Sequence, residues 1–190
     1  LQLAAAVSFA RVTALQNLKT YFHSAMQQIS REFLEVDFAY LISDTDCIHA
    51  SHREIHTLLQ TRAAELQQAE LASGHSLVGP QRHDIAFLFG SQDSRFYCSQ
   101  GQQRSLILAF KLAQIGYHRN ALRKTPILLL DDVLSELDGE KRGSLVDLVK
   151  KMKAQTIITT TDHDLPRVFR EEHCSIQHVK NGAVTKKLKD

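Results

Sequence analysis

Three cysteines, Cys47, Cys98 and Cys174, are all the sulfur chemistry this 190-residue chain has beyond two methionines. They are odd in number, widely spaced and never C-x-x-C, which argues against a disulfide framework or a redox pair and fits a reducing cytosol. No apolar run approaches the ~18–20 residues of a membrane span, and no signal-peptide pattern opens the chain. Lys and Arg number 23 against 21 Asp and Glu, so the net charge of +2 does not by itself mark a polyanion-binding surface. Among eight glycines none begins G-x-x-x-x-G-K-[ST], so no backbone cradle and lysine of the usual kind hold β- and γ-phosphates. No G-x-S-x-G elbow is present for a serine hydrolase. His52 and His56 lie one helical turn apart beside Asp44, Asp46, Cys47 and His49. With Glu54 in the third place rather than the second, the pair is not H-E-x-x-H, and a polar helix start is expected in place of a zinc site. The first residue is Leu1, not Met, and the chain is expected to be a fragment.

What is present concentrates between Ser99 and Asp138. Ser99-Gln100-Gly101-Gln102-Gln103-Arg104 precedes the apolar run Leu106 to Ile115, with Ser99 and Gln102 in the S-x-x-Q relation of a capping box. A helix starting there points free N–H groups and its positive dipole end at solvent, which suits phosphate. Gly101 lets the backbone approach a ligand closely. About 25 residues on, Ile127-Leu128-Leu129-Leu130 predicts a buried central parallel strand covered on both faces. Asp131 and Asp132 then fall at the carboxyl end of that strand, where open α/β sheets bind ligands. Asp131 is placed to hold Mg²⁺ directly or through water, and Asp132 to orient or deprotonate an attacking water.

The rest of the chain supplies the frame. Leu1 to Phe33 reads as a helix, Leu34 to Ile42 as a short strand, Ser43 to Asp46 as a turn and Ser51 to Leu71 as a second helix stopped by Gly74. Ile85 to Phe89 and Arg95 to Cys98 read as strands around the turn Gly90 to Asp93, and a helix follows from Gln102 to about Tyr117. Asp138 is expected to cap a helix whose Arg142, Lys150, Lys151 and Lys153 face outward, the lysines as a solvated face in preference to a contact with DNA. Gln155 to Thr160 reads as a β-branched strand, and Asn181-Gly182 as the turn of a closing hairpin.

Taken together, S-Q-G-Q-Q-R followed by L-L-L-D-D-V-L-S-E-L-D resembles the signature motif, Walker B strand and D-loop of ABC-type ATPases. The particular wording is similar to the RecF family, the recombinational-repair relatives of the SMC and Rad50 heads. The resemblance implies an α/β fold: the C-terminal lobe of an ABC-type ATPase head, a mostly parallel sheet with flanking helices, preceded by a helical arm segment. The boundary is expected near Ser73-Gly74, giving an arm over residues 1–73 and a head lobe over 74–190. Ser76 to Asp84 resembles the family's G-P-H-R-D-D element, matching at Arg82 and Asp84 and departing at Gln81 and His83. A family role in positioning nucleotide or DNA and a packed surface loop both stay open for it.

The implied cofactors are ATP and Mg²⁺, both needing an N-terminal lobe that carries Walker A. Asp131 is the implied metal ligand and Asp132 the implied catalytic carboxylate, with Ser135 and Asp138 in the D-loop. Ser99, Gly101 and Gln102 would meet nucleotide bound by a partner subunit. Thr161 is the choice for the residue that senses the γ-phosphate, with His163 next. Asp132 is shorter than the Glu common in ABC transporters, so slow, DNA-stimulated turnover is expected of the intact protein and none of this chain alone. The implied partners are single- and double-stranded DNA, gapped or at junctions, a second copy on ATP binding, RecR and RecO, and indirectly RecA, in the cytoplasm during the SOS response. An SMC- or Rad50-like structural head is the rival; it needs long heptad coiled coils, for which the arm is too short and weakly periodic.

Overall fold

The computed structural model describes residues 1–30, 35–121, 123–134, 139–161 and 174–186. The chain forms two compact units, Leu1–Pro126 and Ile127–Asp190. The boundary expected at Ser73-Gly74 falls inside the first unit, because strand β1 (Val36–Ile42) before it pairs along its length with β3 (Asp84–Phe89) after it.

In the first unit, helix α1 (Gln2–Ser30) has neither Gly nor Pro and buries Val12, Leu15, Phe22, Met26 and Ile29. The antiparallel sheet has the order β2-β1-β3-β4, with β2 at Thr45–Asp46 and β4 at Gln92–Asp93. Ser43 and Asp44 both take left-handed backbone angles, φ 48° and 66°, which is the geometry a two-residue hairpin turn requires. Helix α2 (His52–Ser73) begins at a complete capping box between Ser51 and Glu54 and ends at Gly74, whose φ of 67° is the left-handed conformation glycine adopts without a Cβ penalty. That capping box gives the His52–His56 region its structural explanation. Among the described residues no group of three or more His, Cys, Asp or Glu side chains converges to hold an ion.

Arg95 to Cys98 is not a strand. Asp93 accepts the Arg95 N–H and starts a short helix, α3 (Ser94–Tyr97), that leads into α4 (Gln100–Ala121). The β-like composition of Arg95-Phe96-Tyr97 loses to a local side-chain cap.

One aromatic cluster fastens the unit. Phe22 from α1, Phe38 from β1, Phe87 from β3 and Phe110 from α4 lie mutually within 6.4 Å between ring centroids, the closest pair being Phe22 and Phe38 at 4.6 Å. Gly116 lets α1 approach α4, since a Cβ there would stand 2.9 Å from the Tyr21 ring. Tyr21 also accepts a hydrogen bond from Asn120 at 3.0 Å.

In the second unit, β5 (Leu128–Asp131) pairs in parallel with β6 (Thr156–Thr159), and α5 (Gly139–Met152) makes the connection. This pair meets the expectation of parallel strands; the other described pairs are antiparallel. Burial on both faces of β5 does not hold: Leu128 and Leu130 are buried, but Leu129 is 68% exposed. A run of aliphatics has no alternation to reveal which face lacks a cover. Strands β7 (Gln177–Lys180) and β8 (Ala183–Lys186) form the hairpin expected around Asn181-Gly182, whose φ values are 50° and 76°.

Candidate functional site

Each unit carries one part of the expected site. In the first, the start of α4 is built as the sequence implied. The Ser99 N–H donates to Gln102 Oε1 at 2.9 Å and the Gln102 N–H to Ser99 Oγ at 3.3 Å, closing the capping box. Ser99 and Gln100 are exposed. A Cβ added to Gly101 would meet nothing within 4 Å, so no packing in this chain demands glycine there. Glycine in a helix costs about 1 kcal/mol relative to Ala. A helix start that carries this cost without an internal reason is suited to close approach by something outside it.

Two residues that motif reading passed over hold this elbow in shape. Gln103 Nε2 faces the carbonyls of Ser94, Arg95 and Cys98 at 3.1, 3.4 and 3.2 Å, tying α3 to the first turn of α4. Arg95 donates to both Asp93 and Asp84, at 2.7 Å each through its two terminal nitrogens. The guanidinium bonds hold the Asp93 carboxyl below its ordinary range. Asp84, a family-matching position of the preceding loop, is thereby joined to the start of the α3–α4 elbow.

His83, which departs from the family wording, belongs to the packing. Its Nδ1 lies 2.9 Å from the Tyr40 hydroxyl and 3.2 Å from Ser8 Oγ, and both of those residues are at most 1% exposed. Arg11 donates to the Pro80 carbonyl on the same loop at 2.5 Å. Burial, and then the Arg11 charge, push the His83 pKa below 6.5. The unfolded chain therefore binds more protons just below that value, and stability falls as pH drops through it. Thermal melts are expected to show a loss of roughly 1–3 °C between about pH 7 and pH 5.5 that His83→Asn removes; identical pH slopes in both proteins would refute it.

In the second unit, Asp131 ends β5 and is exposed. Its Oδ1 accepts a hydrogen bond from the Thr159 hydroxyl at the end of β6. The same hydroxyl and the Thr159 carbonyl both accept the Asp132 N–H, at 3.1 Å each. Asp132 itself sits at φ 50°, a left-handed conformation that short polar side chains tolerate better than most and that concentrates at functional sites. The structure thus brings Asp131, Asp132 and Thr159 together. Thr161 lies two residues past β6 and is exposed. Ser135, Asp138 and His163 lie outside the described residues.

A capped helix start with an unpacked glycine, and a parallel strand pair ending in two carboxylates, define part of an ABC-type ATPase head. The chain belongs to the RecF family. It is 36% identical over 152 residues to the DNA replication and repair protein RecF of Lacticaseibacillus paracasei, covering 80% of this chain and 41% of that protein. The namesake protein of Halothermothrix orenii is 32% identical over 177 residues, covering 93% and 47%. A solved structure of the recombination mediator protein RecF-ATPrS in the RecFOR pathway matches with a TM-score of 0.71 at 28% identity, over 97% of this chain and 47% of that one. The RecF-ATP structure of the same pathway matches with a TM-score of 0.67. No family model matches the chain. The chain spans less than half the length of these relatives. No helix among the described residues is long and apolar enough to cross a membrane.

Proposed function

We propose that the chain is the C-terminal part of a RecF-type ATP-dependent DNA-repair protein, and that it supplies the half of a shared nucleotide site that closes over a second subunit's triphosphate. The observation that carries this reading is the start of α4, where Ser99 and Gly101 stand in open space on a capped helix of 22 residues. Ser99 Oγ, the Gly101 amide and Gln102 contact the γ-phosphate across the dimer. Binding energy from that contact joins the two copies, and hydrolysis releases them.

Asp131 suits a divalent cation: it is an exposed carboxylate whose described side-chain hydrogen bond uses Oδ1. It would hold Mg²⁺ together with phosphate oxygens, and the ion supplies charge neutralisation at the transferred phosphoryl group. Asp132 orients the attacking water, and Thr161 senses the γ-phosphate. Ser135 and Asp138 belong to the D-loop. The Walker A element comes from an N-terminal lobe, so this chain alone does not hydrolyse ATP. The assembled protein is a slow, DNA-stimulated switch in the cytoplasm. It binds gapped or junction DNA, works with RecR and RecO, and helps load RecA.

The test uses the protein that joins this chain to a Walker A lobe. ATP is expected to shift it from monomer to dimer in sedimentation velocity, and Ser99→Arg to weaken that dimer at least ~10-fold while leaving ATP binding by the monomer unchanged. Dimerisation of Ser99→Arg at the parent's affinity would refute the reading, as would tight ATP binding by the 190-residue chain alone.

A further inference from the structure

The acidic residues of this chain are unevenly placed. Between Ser94 and Leu130 the sequence holds six of its 23 Lys and Arg and none of its 21 Asp and Glu. The near-neutral total conceals this, because the rest of the chain is net acidic. Most of the stretch is α4, which buries Leu106, Leu108, Ala109, Leu112, Ala113 and Ile115 on one side. Arg104, Lys111, His118 and Arg119 are exposed on α4, and Arg123 and Lys124 are exposed just beyond it. Helix α1, which packs against α4, contributes no acidic residue, and its own cations are engaged elsewhere, Lys19 with Asp37 and Arg11 with the Pro80 carbonyl. Arg95, the sixth cation, is neutralised by Asp84 and Asp93 and takes no part.

Residues seven apart fall nearly on one line of an α-helix, about 10 Å from one to the next. Arg104, Lys111 and His118 occupy such a line, Arg119 stands beside it in the last turn, and Arg123 and Lys124 follow just past the helix end. We infer that this face of α4 and the turn after it are a docking surface for the phosphodiester backbone of DNA. The inference rests on the DNA-binding part of the proposed function and assigns it a surface. Charge complementarity selects the partner: exposed Lys and Arg side chains in a stretch of sequence that holds no acidic residue favour a polyanion. A membrane surface fits less well, because among the described residues the exposed face of α4 offers a single large aliphatic, Ile107 at 53% exposure, and no apolar stripe to insert. The helix C-terminus reinforces the siting of cations there, since its dipole favours positive charge near the last turn.

Fluorescence anisotropy of a labelled duplex, titrated with the 190-residue chain over a KCl series, tests this. The triple variant Lys111→Gln/Arg123→Gln/Lys124→Gln is expected to bind at least ~10-fold more weakly near physiological salt. Its slope of log K against log [KCl] is expected to flatten by about 2–3, close to 0.9 per lost phosphate contact. The control variant Lys150→Gln/Lys151→Gln/Lys153→Gln, at the end of α5 and just after it, is expected to stay within about 2-fold of the parent. Circular dichroism melts of both variants guard against unfolding. Parent-like binding by the α4 variant, or an equal loss in the α5 variant, would overturn the surface and leave DNA binding intact. Failure of the parent chain to bind duplex or gapped DNA would also overturn it, as would binding to phosphatidylserine vesicles in preference to duplex. The nucleotide-dependent dimer is judged separately by the Ser99→Arg experiment.

Discussion

Asp131→Asn, introduced into the protein that joins this chain to a Walker A lobe, is expected to lower ATP turnover by about 100-fold or more. The carboxylate stands at the carboxyl end of a parallel strand, where open α/β sheets bind ligands, and the proposed function gives it the divalent cation. Asn keeps the shape and removes the negative charge, so the strand pair should fold unchanged while the proposed cation would lose its protein ligand. Thr159 grades the same prediction. Its hydroxyl donates to Asp131 and accepts the Asp132 N–H, so one side chain sets the orientation of both carboxylate-bearing residues. Hydrogen bonds to charged groups contribute about 1.5–3 kcal/mol, and about 1.4 kcal/mol is tenfold in rate. Thr159→Val is therefore expected to slow turnover roughly 10-fold, and Thr159→Ser, which keeps the hydroxyl, to restore most of it. Steady-state hydrolysis read beside the affinity for a fluorescent ATP analogue separates these effects from lost binding. Parent-like turnover in Asp131→Asn would remove Asp131 from the site, and an inactive Thr159→Ser would show that shape, not the hydroxyl, matters there.

Thr159 also shows where sequence reading stops. Three consecutive threonines end this segment, and side-chain chemistry cannot choose among them. The choice is made by register: Asp131 pairs with Thr159 across the parallel strands, so Thr159 is the hydroxyl within reach. Register is a non-local property, set by how two strands 28 residues apart align. Features determined within a few residues were legible: the Ser99–Gln102 capping box, the helix start at Ser51, the Gly74 stop and the Asn181-Gly182 turn. Arg95 to Tyr97 was misread because Asp93 captures the Arg95 amide, a competition between cap and strand that composition does not express. His83 gave no local signal at all. Its role depends on Ser8 and Tyr40, 75 and 43 residues away. The exposed Leu129 face of β5 escaped for a related reason, since an unbroken aliphatic run looks the same whether one face is covered or two.

The largest expected loss of stability is at Phe22. This side chain is fully buried and is the member of the aromatic cluster that α1 contributes, touching rings from β1, β3 and α4. Truncating a buried Phe to Ala costs about 3–5 kcal/mol, from lost apolar burial plus the cavity left behind. Aromatic pairs add about 0.5–1.5 kcal/mol beyond area. Domains of this size are stable by only about 5–15 kcal/mol, so Phe22→Ala is expected to remove a large share of the total. Phe22→Leu, which refills much of the volume, should recover more than half of it. Urea unfolding followed by circular dichroism measures both, with the midpoint shifting and the slope constant if the denatured state is unchanged. The consequence reaches the helix start proposed to meet nucleotide, because Phe110 of the cluster lies on the same helix as Gly101 and Gln102. A loosened cluster should therefore weaken ATP-dependent dimerisation before the fold is lost. A Phe22→Ala protein with the parent's unfolding midpoint would show that α1 and the sheet are held together by something other than these four rings.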